Sequence, residues 1–174
     1  MADLYALFFE THISRQQLMV IPSILEAGIT KMDSDVGIIR IAQHPAFKEG
    51  YPYLEIEEYD NVYEGLDVAT CGFPLGNFLH EQLGTLTSSF TRGILSSIIP
   101  SPNAAPEYVE GFQLDLTATF GNSGGPVFNW ATGKVFGILQ GGPRDSRGAI
   151  LHGIAHAEPV YKVTDDDTIN NGMS

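Results

Sequence analysis

The feature that most constrains this chain is Gly121-Asn122-Ser123-Gly124-Gly125-Pro126. It interrupts two apolar β-prone runs, the strand-like stretch from Phe112 to Thr119 and the run from Val135 to Leu139. Glycines on both sides of a serine permit backbone angles that a Cβ forbids. They also leave N–H groups turned outward, unpaired by any sheet ladder. Acyl-transfer chemistry needs that local geometry: an exposed hydroxyl nucleophile, with backbone donors converging where an oxyanion forms. The same letters also describe a glycine-rich β-turn with an incidental serine. The loop alone leaves both readings open.

The rest of the chain is built of short, turn-bounded, β-prone runs. Leu4–Phe9 and Leu18–Leu25 read as two strands of an antiparallel hairpin, the second broken by Pro22 and suited to an edge or a bulge. Val36–Ala42 reads as a buried strand, and Asp67–Cys71 as a strand closed by Gly72-Phe73-Pro74-Leu75-Gly76. Ser88–Ile99 and Gly153–Val163 complete the set, and 44–65, rich in Pro, Tyr and Glu, reads as an exposed connection. With no 3.6-residue apolar periodicity, this pattern predicts an all-β barrel or sandwich. A length of 174 residues suits one domain or two small lobes.

Nine basic residues against 21 acidic ones give a formal net charge of −12. That balance argues against nucleic acid or an anionic membrane as partner. Cys71 is the only cysteine, so no intrachain disulfide can form. Residues 1–10 carry an early Asp and only a short apolar run, unlike a secretory leader. Together these two features point to the cytoplasm. No metal-ligand spacing or cofactor fingerprint occurs, so neither metal nor cofactor is expected.

The loop resembles the nucleophile loop of trypsin-fold serine peptidases, whose motif reads G-[DN]-S-G-G-P. The upstream Gln113-Leu114-Asp115-Leu116-Thr117-Ala118-Thr119 is similar to the HtrA branch of that family. Ser34-Asp35-Val36-Gly37-Ile38-Ile39-Arg40-Ile41 resembles the branch's segment that carries the triad aspartate. The turn at 72–76, the 88–99 strand and the 153–163 segment resemble further parts of it. The resemblance spans residues 4–163. It implies an all-β, trypsin-like double β-barrel in which the second barrel is complete and the first is N-terminally truncated. The division it suggests is 1–48 for the remainder of the first barrel, 49–66 for the inter-barrel connection, 67–163 for the second barrel and 164–174 for a polar tail.

By the same resemblance Ser123 is the nucleophile, the N–H groups of Gly121 and Ser123 form the oxyanion hole, and Asp35 is the triad aspartate. Asp35 read alone is more simply an aspartate capping a strand entry. The floor of the primary pocket falls to Thr117, Ala118 and Thr119, and its wall to Gln140, Gly141 and Gly142, the residues that pair with substrate backbone. None of the six is charged, so a small or medium apolar side chain is expected before the cleaved bond.

One part of the pattern is not met. The family places its catalytic histidine before the aspartate, in a T-A-x-H type segment, and no such segment occurs in residues 1–34. His12 sits between the first two expected strands, where a side chain points to solvent. His44, His80, His152 and His156 all follow Asp35. His156 interrupts the closing strand, as a surface residue or as part of the pocket. The chain therefore reads as a trypsin-like serine endopeptidase domain acting on peptide or protein, begun after its base and inactive as it stands. The alternatives are a pseudopeptidase that binds peptide by strand addition at 140–142, and a barrel interaction domain with a vestigial loop.

Overall fold

The structure is a computed structural model. It describes residues 5–8, 24–29, 36–42, 53–74, 81–82, 84, 88–101, 108–143, 145–148 and 151–164, with only the backbone described for 5–8, 24–29, 37–41 and 163–164. The chain divides into two compact units, one of residues 1–53 with 162–174 and one of 54–161.

In the first unit, β1 (Tyr5–Phe8), β2 (Ile24–Ile29) and β3 (Gly37–Ile41) form a three-stranded sheet in the order β1-β3-β2. Most of the hairpin expected between 4–9 and 18–25 lies outside the described residues, and among these β1 and β2 do not pair with each other. Both pair antiparallel with β3, Tyr5 facing Arg40 and Ala27 facing Ile39. Strand β2 runs past the expected end at Leu25 and takes in Glu26–Ile29. The stretch 18–23 lies outside the described residues. Apolar runs mark strands, but they do not say which strand is the neighbour.

The second unit holds the six remaining strands: β4 (Asp67–Gly72), β5 (Ser89–Pro100), β6 (Val109–Asp115), β7 (Pro126–Asn129), β8 (Val135–Gly141) and β9 (Ala155–Pro159). They close into an antiparallel barrel in the order β4-β5-β6-β9-β8-β7, and β7 returns to pair with β4. This is the all-β, trypsin-like barrel that the resemblance implies for the second unit. Closure removes every sheet edge along the paired lengths.

Alternation explains what fills the barrel. Leu95, Phe112, Leu114, Val68, Val127, Leu139, Ala155 and Ala157 are all buried in one cluster. Phe112 meets Phe136 edge to face with centroids 5.2 Å apart, a favoured aromatic geometry. The barrel ends in a single helical turn, Tyr161–Thr164, whose Tyr161 hydroxyl donates to the Val109 carbonyl and accepts the Val109 N–H.

The segment before β4, read as exposed connection, is bonded to the barrel. Glu57 N–H donates to the Val135 carbonyl, and Val135 N–H to that of Glu55, both at 2.8 Å. Among the described residues no helix is long and apolar enough to cross a membrane, and no group of three His, Cys, Asp or Glu could hold a metal ion.

Candidate active site

Strand β6 ends at Asp115, although the buried-exposed alternation runs on through Leu116, Thr117 and Ala118. The chain then enters the turn 120–125. Gly121 has φ 97° and Gly124 φ 85°, values in the left-handed half of the map that favour glycine. Ser123 lies between them, half-buried and outside any strand.

From Gly121 to Gly124 the amides of this turn alternate between available and engaged. Asn122 N–H donates to the Thr119 carbonyl at 3.1 Å, Gly124 N–H to that of Leu139 at 2.7 Å, and Gly125 N–H to that of Asn122 at 2.9 Å. Among the described residues, the N–H groups of Gly121 and Ser123 donate to no backbone carbonyl. These two amides are thus left available while their neighbours fix the turn.

Strand β8 supplies the facing wall. Its pairing with β7 ends at Ile138 opposite Pro126, and Leu139 N–H donates to Gly125. Beyond that point the β7-side edge of β8 meets Ser123, while its other edge stays paired with β9. The Ser123 Oγ–H donates to the Gln140 carbonyl oxygen at 2.8 Å. Gly141 stands alongside, close enough that a Cβ there would lie 3.3 Å from Ser123 Oγ. Gln140 is itself braced: its Nε2 donates at 2.8 Å to Oε1 of the buried Glu158 on β9. On the opposite side of the turn, Phe73 N–H donates to the Gly121 carbonyl at 3.2 Å. Ser123 is therefore held between the end of β8 and the segment that follows β4.

The residues expected around the loop are placed as follows. Thr117 is exposed, Ala118 is buried, and Thr119 is half-buried, with its carbonyl capping Asn122. Gln140, Gly141 and Gly142 are half-buried at the end of β8. Asp35, His12, His44 and His80 lie outside the described residues. His152 is exposed. His156 stands across from Gln113 and Gly141 and lines a cavity of about 180 Å³ with Gln140, Glu158 and Glu110. No described histidine bonds to Ser123. Burial pushes the Cys71 thiol above its ordinary pKa, which keeps it a weak nucleophile.

The sequence did not single out two buried polar side chains beneath the turn. Thr70 is 1 % exposed and Asn122 3 % exposed. Neither Thr70 Oγ1 nor Asn122 Oδ1 has a hydrogen-bond partner in the protein. A buried polar atom left without a partner costs about 1–3 kcal/mol.

No curated protein matches the sequence significantly. Solved structures do match its fold. The HtrA-type protease AlgW with decapeptide superposes with a TM-score of 0.58 at 21% identity, covering 80% of this chain and 38% of that one. AlgW with tripeptide gives 0.53 and 22%, covering 75% and 38%. The inactive form of Rv3671c from M. tuberculosis H37Rv, a serine-to-alanine mutant, gives 0.55 and 19%, covering 83% and 64%. The chain thus spans less than two thirds of the length of each. These likenesses extend to the fold. The family model described as trypsin-like peptidase domain matches residues 17–138, a range that holds both Asp35 and Ser123. With well over half of its length matched, the chain belongs to the trypsin-like peptidase domain family.

Proposed function

We propose that this chain is a serine endopeptidase domain in which Ser123 attacks the peptide carbonyl. The N–H groups of Gly121 and Ser123 receive the oxyanion, and Asp35 orients a histidine base. The observation that carries this reading is the alternation of engaged and available amides around Ser123. An incidental serine on a β-turn has no reason to leave both its own N–H and that of Gly121 available. Family membership supports the same chemistry.

A hydroxyl attacks well only when a base takes its proton. Here the Ser123 proton rests on the Gln140 carbonyl, an acceptor that cannot carry it away. The 174-residue chain alone is accordingly expected to show residual reactivity. In this mechanism the loss of a triad member costs about four orders of magnitude or more, with binding and the oxyanion donors left to act. Incubation with a fluorophosphonate probe, followed by mass spectrometry, should find slow labelling confined to Ser123 and removed by Ser123→Ala. Labelling that persists in Ser123→Ala, or that maps elsewhere, overturns the assignment.

Substrate preference follows from the same walls. Thr117, Ala118, Thr119 and Gln140–Gly142 offer no charge, so a small or medium apolar residue should precede the cleaved bond. Preferential cleavage after Arg or Lys, read from a peptide library, would refute it.

A second reading, a peptide-binding module, is supported by the end of β8, which outruns β7 and presents backbone groups beside Ser123. Strand addition there needs no base. Peptide binding by a chain that never labels would favour this reading over the first.

A further inference from the structure

We propose that Thr70 is a positioning residue for the turn that carries Ser123. Its hydroxyl is linked to Asn122 Oδ1 beneath the turn through one internal water and, through Asn122, sets the direction of the flanking Gly121 and Ser123 N–H groups. The meaning of this for catalysis rests on the peptidase reading; the pairing itself does not.

The two atoms are complementary. A threonine hydroxyl can donate, whereas an amide oxygen only accepts. Each is buried, and each lacks a partner in the protein. They also address the same few residues. Thr70 and Gly72 share a face of β4, being two apart on one strand. A Cβ at Gly72 would lie 2.8 Å from Asn122 Oδ1. A Cβ at Gly125 would lie 3.3 Å from Thr70 Oγ1 and 2.9 Å from the Asn122 carbonyl oxygen. The orphaned oxygens thus lie against the two glycines, Asn122 Oδ1 beside Gly72 and Thr70 Oγ1 beside Gly125.

The anchoring of the turn is also lopsided. Toward β8 it is held by the Gly124 N–H on Leu139 and the Ser123 hydroxyl on Gln140. Toward the β4 side it is held at Gly121, by the Phe73 N–H at 3.2 Å. A Thr70–Asn122 link through one internal water adds a second β4-side anchor. That anchor falls on the residue between the two available amides. It keeps the turn in place when a substrate backbone competes for the Gln140 carbonyl and releases the Ser123 hydroxyl.

The test compares Thr70→Val, which keeps shape and removes the hydroxyl, with Thr70→Ser, which restores it. Amide hydrogen exchange is read by NMR at Gly124 and Gly125, with Leu114 in the barrel as reference. Thr70→Val should speed exchange at both glycines roughly tenfold and leave Leu114 unchanged, since one hydrogen bond is at stake. Thr70→Ser should return the parent rates. Unchanged glycine rates in Thr70→Val, or failure of Thr70→Ser to restore them, overturn the proposal. Should Thr70→Val not fold, Asn122→Ala and the Asn122→Ala/Thr70→Ser pair supply the measurement. Asn122→Ala should reproduce the faster exchange, and adding Thr70→Ser to it should change nothing further; an additional increment overturns the pairing. Fluorophosphonate labelling of Ser123, followed in parallel, should slow as exchange quickens. A parent that does not label tells against the peptidase reading, while the exchange rates still decide the role of Thr70.

Discussion

Gly121→Ala is expected to destabilise the second unit by roughly 3–5 kcal/mol, whereas Gly133→Ala should cost only about 1–2 kcal/mol. Both glycines have positive φ, 97° and 73°, so an alanine at either position meets the same class of backbone strain. They differ in what surrounds them. A Cβ at Gly133 meets nothing within 4 Å. A Cβ at Gly121 would overlap the Phe73 carbonyl oxygen and come within 3.3 Å of Pro74 Cα. Those atoms are backbone, so they cannot swing aside as a side chain would. Either the turn moves off the segment after β4 or that segment moves off the turn, and the Phe73-to-Gly121 hydrogen bond is lost in both cases. Urea denaturation of the two variants beside the parent measures the difference. Equal losses would mean that close approach to Phe73 does not fix the turn. On the peptidase reading, Gly121→Ala also misdirects an oxyanion donor, and the loss of one such donor costs about 10²–10³ in rate.

That turn was the most legible part of the chain, because glycine writes its conformation directly into the sequence. Gly121 and Gly124 stand where left-handed φ angles were needed, and that is where the structure has them. Strand ends were less legible. The run Phe112–Thr119 reads as one strand because Leu116 and Ala118 stay buried while Thr117 is exposed. The hydrogen-bonded ladder nevertheless stops at Asp115. Alternating burial outlasts pairing wherever a chain continues along the barrel wall, and sequence records only the burial. Pairing partners were not legible either. The first two strands are near in sequence, yet both join β3. The site's polar linkages were hidden for a related reason. Ser123 meets Gln140 across 17 residues, and Gln140 meets Glu158 across 18. Such pairs exist only because the barrel folds β8 between β7 and β9.

Glu57 is the clearest case of a role set by distant partners, and its replacement should have the second large effect. Within Glu55-Ile56-Glu57-Glu58-Tyr59-Asp60 it reads as one solvated charge among several, yet it is 7 % exposed. Its Oε2 accepts from Asn129 Nδ2 at 2.9 Å and from Thr132 Oγ1 at 2.5 Å. Its Oε1 accepts from Asn61 Nδ2 and from the Glu58 N–H. Burial pushes this carboxyl up, but the bonds it accepts outweigh burial and hold its pKa below the ordinary value of 4.5. Asn61 and Thr132 are exposed and can turn to water, whereas Asn129 is buried and cannot. Glu57→Ala should therefore cost about 3 kcal/mol, chiefly for stranding Asn129 and unfastening the segment before β4 from the β7–β8 turn. Glu57→Gln, which puts an amide donor against donors, should cost less than Ala but more than a surface substitution.

The pH dependence gives the sign test. A carboxyl whose folded pKa is depressed binds more protons in the unfolded chain, so its contribution is fully present above the ordinary value of 4.5. It is then lost progressively as pH falls below that value through the folded pKa. Parent and Glu57→Gln should accordingly differ by a constant amount of stability from neutral pH down to about 5, and converge as pH falls further. Urea midpoints measured from pH 7 to pH 3 would show it. A gap that stays constant throughout would mean that the charge on Glu57 contributes nothing, and that its neighbours hold the segment through its shape alone.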